Sequence, residues 1–160
     1  MPRELVVTWN DPAPALEEGR KLLPIEHLRA IRDGRLPDPP FARLLGMRLA
    51  HVAEGEAAFE LSPGEQHYNP IGAVHGGVAF TMLDSAMGCA VQTLCPAGKG
   101  YTTLELKANL VRPITQQTGL LRARAKVVHF GSRTATAEAR LEDGAGKLYA
   151  HGSSTCLILG

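Results

Sequence analysis

The second half of the chain alternates apolar and polar residues with a period of two, the spacing of a strand with one face buried. In Leu120–Phe130, Leu121, Ala123, Ala125 and Val127 oppose Arg122, Arg124 and Lys126. In Arg133–Glu142, Ala135, Ala137, Ala139 and Leu141 oppose Thr134, Thr136, Glu138 and Arg140. Thr103–Arg112 reads the same way: Leu104, Leu106, Ala108 and Leu110 point to one side, Thr103, Glu105, Lys107 and Asn109 to the other. A last strand is predicted over Leu148–Leu159. Short turns at Gly131-Ser132 and Asp143-Gly144 make these pairings antiparallel. Upstream, Met47–Glu54 and Glu56–Leu61 form a hairpin around Gly55.

One segment breaks the alternation. Val78–Leu94 is apolar on nearly every side, which predicts a helix buried all round, and Pro96, Gly98 and Gly100 end it. Polar Ser62–Pro70 precedes it as a loop. The first forty residues hold Pro2, Pro12, Pro14, Pro24, Pro37, Pro39 and Pro40, most of the chain's 11 prolines. Two short helices fit between them, near Ala15–Leu22 and over Pro24–Arg32, the second stopped by Gly34. Leu36–Pro40 reads as an extended linker. The predicted class is α+β: one long buried helix laid across an antiparallel sheet of about six strands (residues 41–160), preceded by a short helical, proline-rich arm (residues 1–40).

Composition narrows the function. At 160 residues, 44% hydrophobic and 21% charged, the chain is long enough for a single core without disulfides or metals. Lys+Arg 17 against Asp+Glu 16 gives a net charge of +1, without the basic excess of a nucleic-acid binder. No apolar run reaches the ~18 residues of a membrane span. The N-terminus shows no signal-peptide apolar stretch, so the expected location is cytoplasmic. Cys89, Cys95 and Cys156 form no CxxC and read as buried free thiols.

Three features carry chemistry. Asp84 stands alone in the apolar helix, where a carboxylate is costly to bury unless it is hydrogen-bonded or used; it reads as a general base or nucleophile. His75-Gly76-Gly77 opens that helix. Glycines there permit close approach of a ligand, and the first free amides carry partial positive charge suited to an oxyanion. Asn69 is either a turn residue or an amide that orients water or substrate. His75 reads as orienting, since no GxSxG elbow or serine partner exists. His67 and His75 lack carboxylate partners, so no metal site is expected. Gly76 and Asp84 are eight residues apart, about 12 Å of helix, too far for one reacting carbonyl to meet both. Either they are not one site, or two chains supply them.

The run Asn69-Pro70-Ile71-Gly72-Ala73-Val74-His75-Gly76-Gly77, with Asp84 seven residues on, resembles the hot-dog-fold thioesterases, nearest the phenylacetic-acid-degradation branch. The strand Tyr101–Pro113 matches as well, and the resemblance covers roughly Phe41 to Leu159. It implies hydrolysis of acyl-CoA thioesters of aryl or short- to medium-chain acids. Coenzyme A would be part of the substrate and no separate cofactor is needed. By resemblance, Asp84 is the catalytic acid, the Gly76 amide the oxyanion donor, and Thr103 the hydroxyl beside the acid. Thr102 lies one register slip away, and Gly77 adjoins the substrate. Coenzyme A phosphates imply a basic rim, drawn from Lys99, Arg112, Arg122, Arg124, Lys126 and Arg133, with Arg133 preferred. The family also implies a dimer with shared sites and a homotetramer built as a dimer of dimers. The alternatives are a hot-dog acyl-thioester dehydratase or hydratase, and a non-catalytic acyl-CoA binding protein.

Overall fold

The computed structural model describes all 160 residues. Three short helices come first: α1 (Pro12–Arg20), α2 (Pro24–Arg32) and α3 (Pro40–Leu45). A hairpin follows, β1 (Met47–Ala53) and β2 (Glu56–Leu61), turning at Gly55 with φ of 72°. Then come the long helix α4 (Gly76–Gln92) and four strands: β3 (Gly100–Leu110), β4 (Leu121–Phe130), β5 (Thr134–Asp143) and β6 (Leu148–Leu159). Each of the first three helices begins with proline, where the missing N–H has no partner to lose. The linker predicted over Leu36–Pro40 gives way at Pro40 to α3. That helix is only 6 residues long and closes at Gly46 in the left-handed region, too short for a periodic signal.

All six strands form one antiparallel sheet in the order β1-β2-β4-β5-β6-β3. The strand that follows α4 therefore crosses to the far edge, paired only with β6. Between the edges, α4 lies on a floor of small side chains: Ala123, Ala125, Ala135, Ala137 and Ala139 are all buried. Their size lets the helix approach closely and sink Met82, Leu83 and Met87 to 0% exposure. Complete burial of such a side chain contributes about 1.5–3 kcal/mol, more than exposed ion pairs of about 0–1 kcal/mol supply. Leu28 of α2 and Ala42 of α3 join the same cluster, so the arm extends the core along β1. No helix is long and apolar enough to cross a membrane.

Two expectations need correction. First, α4 is not covered all round. The sheet wraps the side bearing Val78, Ala79, Met82, Leu83, Ala86, Met87, Ala90 and Val91. A stripe of Gly77, Phe80, Thr81, Asp84 and Ser85 stays exposed or half-exposed. These residues recur at helical spacing on one face. Second, the alternation in β3 does not hold throughout. The register with β6 runs Thr103↔Cys156 and then Glu105↔Thr155, so Leu104 is an extra residue in a β-bulge. Ahead of the bulge Thr103 faces α4; beyond it Leu106 and Ala108 do. Leu104, expected in the core, is 56% exposed.

Candidate active site

The turn into α4 is built on Asn69. Its Oδ1 accepts from the N–H groups of Ile71 (3.0 Å) and Ala73 (3.2 Å), and its own N–H donates to Ala73 O (2.7 Å). Gly72, with φ of 85°, completes the loop. The side-chain oxygen is thus committed to the turn. Only the Nδ2 amide remains to meet a substrate, and it can only donate.

His75 is the N-cap. Its Nδ1 accepts from Gly77 N–H at 2.9 Å, so a neutral His75 carries its proton on Nε2. Its own N–H donates to His67 O (2.8 Å), and its carbonyl accepts from Val78 (3.0 Å). Gly77 is glycine because a Cβ there would stand 2.8 Å from that Nδ1. These bonds use the Gly77 and Val78 amides, while Gly76 N–H makes no hydrogen bond within the chain. It lies at the positive end of a 17-residue helix, the environment that stabilises a developing oxyanion.

Two turns along, Asp84 projects from the uncovered stripe. Thr103 Oγ1 donates to Asp84 Oδ1 at 2.9 Å, while Oδ2 accepts no hydrogen bond from the chain. A further turn on, Gly88 leaves room for the Tyr101 ring, whose hydroxyl fills the place of a side chain. Burial, then the negative charges nearby, push the Tyr101 phenol well above its ordinary range. Burial first, with Asp84's charge second, pushes the Cys89 thiol up to about 12. Both groups are neutral near pH 7. A thiol held protonated is no nucleophile, so Cys89 does not compete with Asp84 for that role.

The remaining candidates are dispersed. Thr102 is exposed on the sheet face opposite Thr103, so of the adjacent pair it is Thr103 that meets the acid. Arg112 donates through Nη1 to Leu148 O (2.6 Å), just beyond Leu110, the residue that covers Gly76. Arg133 is exposed at the β4–β5 turn, where its carbonyl accepts from Ile158, the register partner of Tyr101. Arg122 is drawn with Arg48 onto the buried Glu60 on the sheet's outer face. Sequence reading missed the bulge, the capping bond of His75 and the Tyr101–Gly88 contact. Only the unusual glycine at position 88 of an apolar helix hinted at the last of these.

Six antiparallel strands around one long helix, with a half-exposed acid on that helix and a free amide at its start, define a hot-dog hydrolase architecture. The chain belongs to the thioesterase superfamily, whose family model matches residues 71–150. It is a thioester hydrolase. Among its relatives, 1,4-dihydroxy-2-naphthoyl-CoA hydrolase of Listeria monocytogenes is 28% identical over 104 residues, covering 65% of this chain and 83% of the relative. The phenylacetic acid degradation protein PaaI of Thermus thermophilus, solved as a variant, is 31% identical with a TM-score of 0.67. That match covers 74% of this chain and 98% of PaaI. A phenylacetic acid degradation-related protein from Ralstonia eutropha is 29% identical with a TM-score of 0.72, covering 81% and 98%.

Proposed function

We propose that this protein hydrolyses an aryl- or short- to medium-chain acyl-CoA thioester, in a site that two copies of the chain assemble. The observation that carries the reading is the separation on one helix of a free oxyanion donor, Gly76 N–H, and an available carboxylate, Asp84. Their rise is about 12 Å, so a single copy offers a carbonyl only one of them. An isologous dimer brings the Gly76 of each copy to the Asp84 of the other. Two features support pairing. The stripe carrying Asp84 also carries exposed Phe80, and β3 presents an 11-residue edge with exposed Leu104 and no partner on its outer side. Such edges are templates for a further strand.

In this reading Thr103 holds Asp84 by Oδ1, and Oδ2 takes a proton from water. The water oxygen bonds to the thioester carbon, and Gly76 N–H of the second copy stabilises the oxyanion. Asn69 Nδ2 orients the substrate from the same loop. Collapse breaks the C–S bond, and the thiolate leaves with the proton that Asp84 had taken. Water is the only co-substrate and no cofactor takes part. Arg133 and Arg112 are the cationic contacts proposed for the coenzyme A phosphates, with the first preferred for its free guanidinium. The relatives that act on or are named for aromatic acids favour an aryl group. Release of free thiol from a panel of aryl-, short- and long-chain acyl-CoAs tests the reading. Absence of thiol release from every member overturns it.

A further inference from the structure

The Thr103–Asp84 bond exists only because of the bulge. In a regular strand, Thr103 would share a face with Glu105 and Lys107 and point away from α4. The extra residue, Leu104, shifts the phase and turns the Thr103 hydroxyl toward the helix.

What holds the bulge lies on the neighbouring strand. Ser154 of β6 is 2% exposed and faces the core. Its Oγ donates to Glu105 O at 2.9 Å, at the residue where the β3–β6 register resumes. A hydroxyl in an apolar core is unfavourable by itself, so its single strong bond accounts for its presence there. Two residues further on, Cys156 lies directly opposite Thr103 in the register, with its Sγ 3.9 Å from Ser154 Oγ. Burial raises the Cys156 thiol above its ordinary range, while hydrogen bonding with the Ser154 and Thr103 side chains pulls it back. Ser154, Cys156, Thr103 and Asp84 therefore form one line of neighbouring polar atoms through the core. Gly152, on the same strand, has no room for a Cβ, which would stand 2.5 Å from Lys107 O, so β6 sits tightly against β3 just past the bulge.

We infer that Ser154 is a positioning residue of the catalytic site, which fixes the β3 bulge and through it the Thr103 hydroxyl on Asp84. Ser154 touches neither substrate nor acid. The inference rests on the proposed role of Asp84, and the test keeps the two apart.

The experiment measures kcat and KM for Ser154→Ala, Thr103→Ala, the double variant and Asp84→Asn on one acyl-CoA that the wild type hydrolyses. It adds NMR hydrogen exchange of the amides from Thr103 to Leu106 in the wild type, Ser154→Ala and Thr103→Ala. Ser154→Ala is expected to lower kcat about 10-fold with KM within about 2-fold, since misplacement of a catalytic group by about 1 Å costs up to 10²-fold. In the Thr103→Ala background the same change should cost less than about 2-fold, because the group it acts through is gone. Exchange around the bulge should accelerate in Ser154→Ala and not in Thr103→Ala. Ser154→Val fills the volume without a donor and should match Ser154→Ala. The inference is overturned if either folded variant keeps the wild-type kcat, or if the Ser154 and Thr103 effects multiply. Unchanged exchange at the bulge in Ser154→Ala overturns it as well, and this readout needs no turnover. Failure of the Asp84 reading shows separately, as an Asp84→Asn protein that hydrolyses normally.

Discussion

Leu110 occupies the space that a side chain at Gly76 would need: a Cβ there would stand 2.6 Å from Leu110 Cδ1. A methyl at Gly76 has to displace only Leu110 Cδ1, the tip of a side chain that is 49% exposed and can turn toward solvent. Gly76→Ala should therefore destabilise the fold by less than about 1 kcal/mol, and adding Leu110→Ala should remove what loss there is. Thermal unfolding of the single and double variants decides it, and a loss above about 2 kcal/mol that Leu110→Ala does not relieve rejects Leu110 as the neighbour that yields.

The same contact shapes the test of the oxyanion donor. Proline at the first helical position removes the N–H yet suits a helix start. His75 already has ψ of 133°, the conformation a residue before proline prefers. Gly76→Pro combined with Leu110→Ala should keep the helix and lose about 10²–10³-fold in kcat relative to Leu110→Ala, the usual loss for one oxyanion donor. Circular dichroism and thiol release together check this.

Asp84→Asn should keep the fold and lose at least about 10²-fold in kcat, as for removal of a general base. When mixed with Gly76→Pro/Leu110→Ala under verified subunit exchange, the inactive proteins should regain up to about a quarter of the wild-type activity. Half of the dimers are then mixed, and each holds one intact site in two. No recovery after proven exchange would rule out a site built from two copies.

Alkaline pH should weaken the fold through groups next to Asp84. Burial raises both the Cys89 thiol, from 9.0 to about 12, and the Tyr101 phenol, from 10.0. The unfolded chain thus loses these protons first. Their contribution to stability is complete below about pH 9 and falls as pH rises toward the folded-state values. Urea denaturation midpoints should decline from pH 8.5 to 11, and less steeply in Cys89→Ser/Tyr101→Phe. Equal slopes in the two proteins would count against burial of these groups as the cause.

Most of the scaffold was legible because its signals are local. Alternation in β4 and β5, Gly55 in the first hairpin and the dense apolar run of α4 each specify an element within about ten residues. The candidate site was legible as residue types, Asp84 and His75-Gly76-Gly77. Its geometry was not, because the determinants are distant in sequence. Leu110 lies 34 positions from Gly76, Ser154 reaches Glu105 from 49 positions away, and Tyr101 crosses to Gly88. The phase of β3 was misjudged for a related reason. A bulge is fixed by the partner strand, and Leu104 is apolar enough to pass for a core residue.

That phase shift makes β3 unequal in its tolerance of change. Substitutions at Leu104 alter one exposed side chain, but removing one residue there would turn Thr103 and everything before it over by half a rotation, leaving β3 beyond it in place. Alignments carry the same hazard. Counting back from Pro113 through an ungapped relative that lacks the bulge would match its acid-facing residue to Leu104, one place from the hydroxyl that meets Asp84. Equivalent residues on either side of this point are properly matched outward from the bulge.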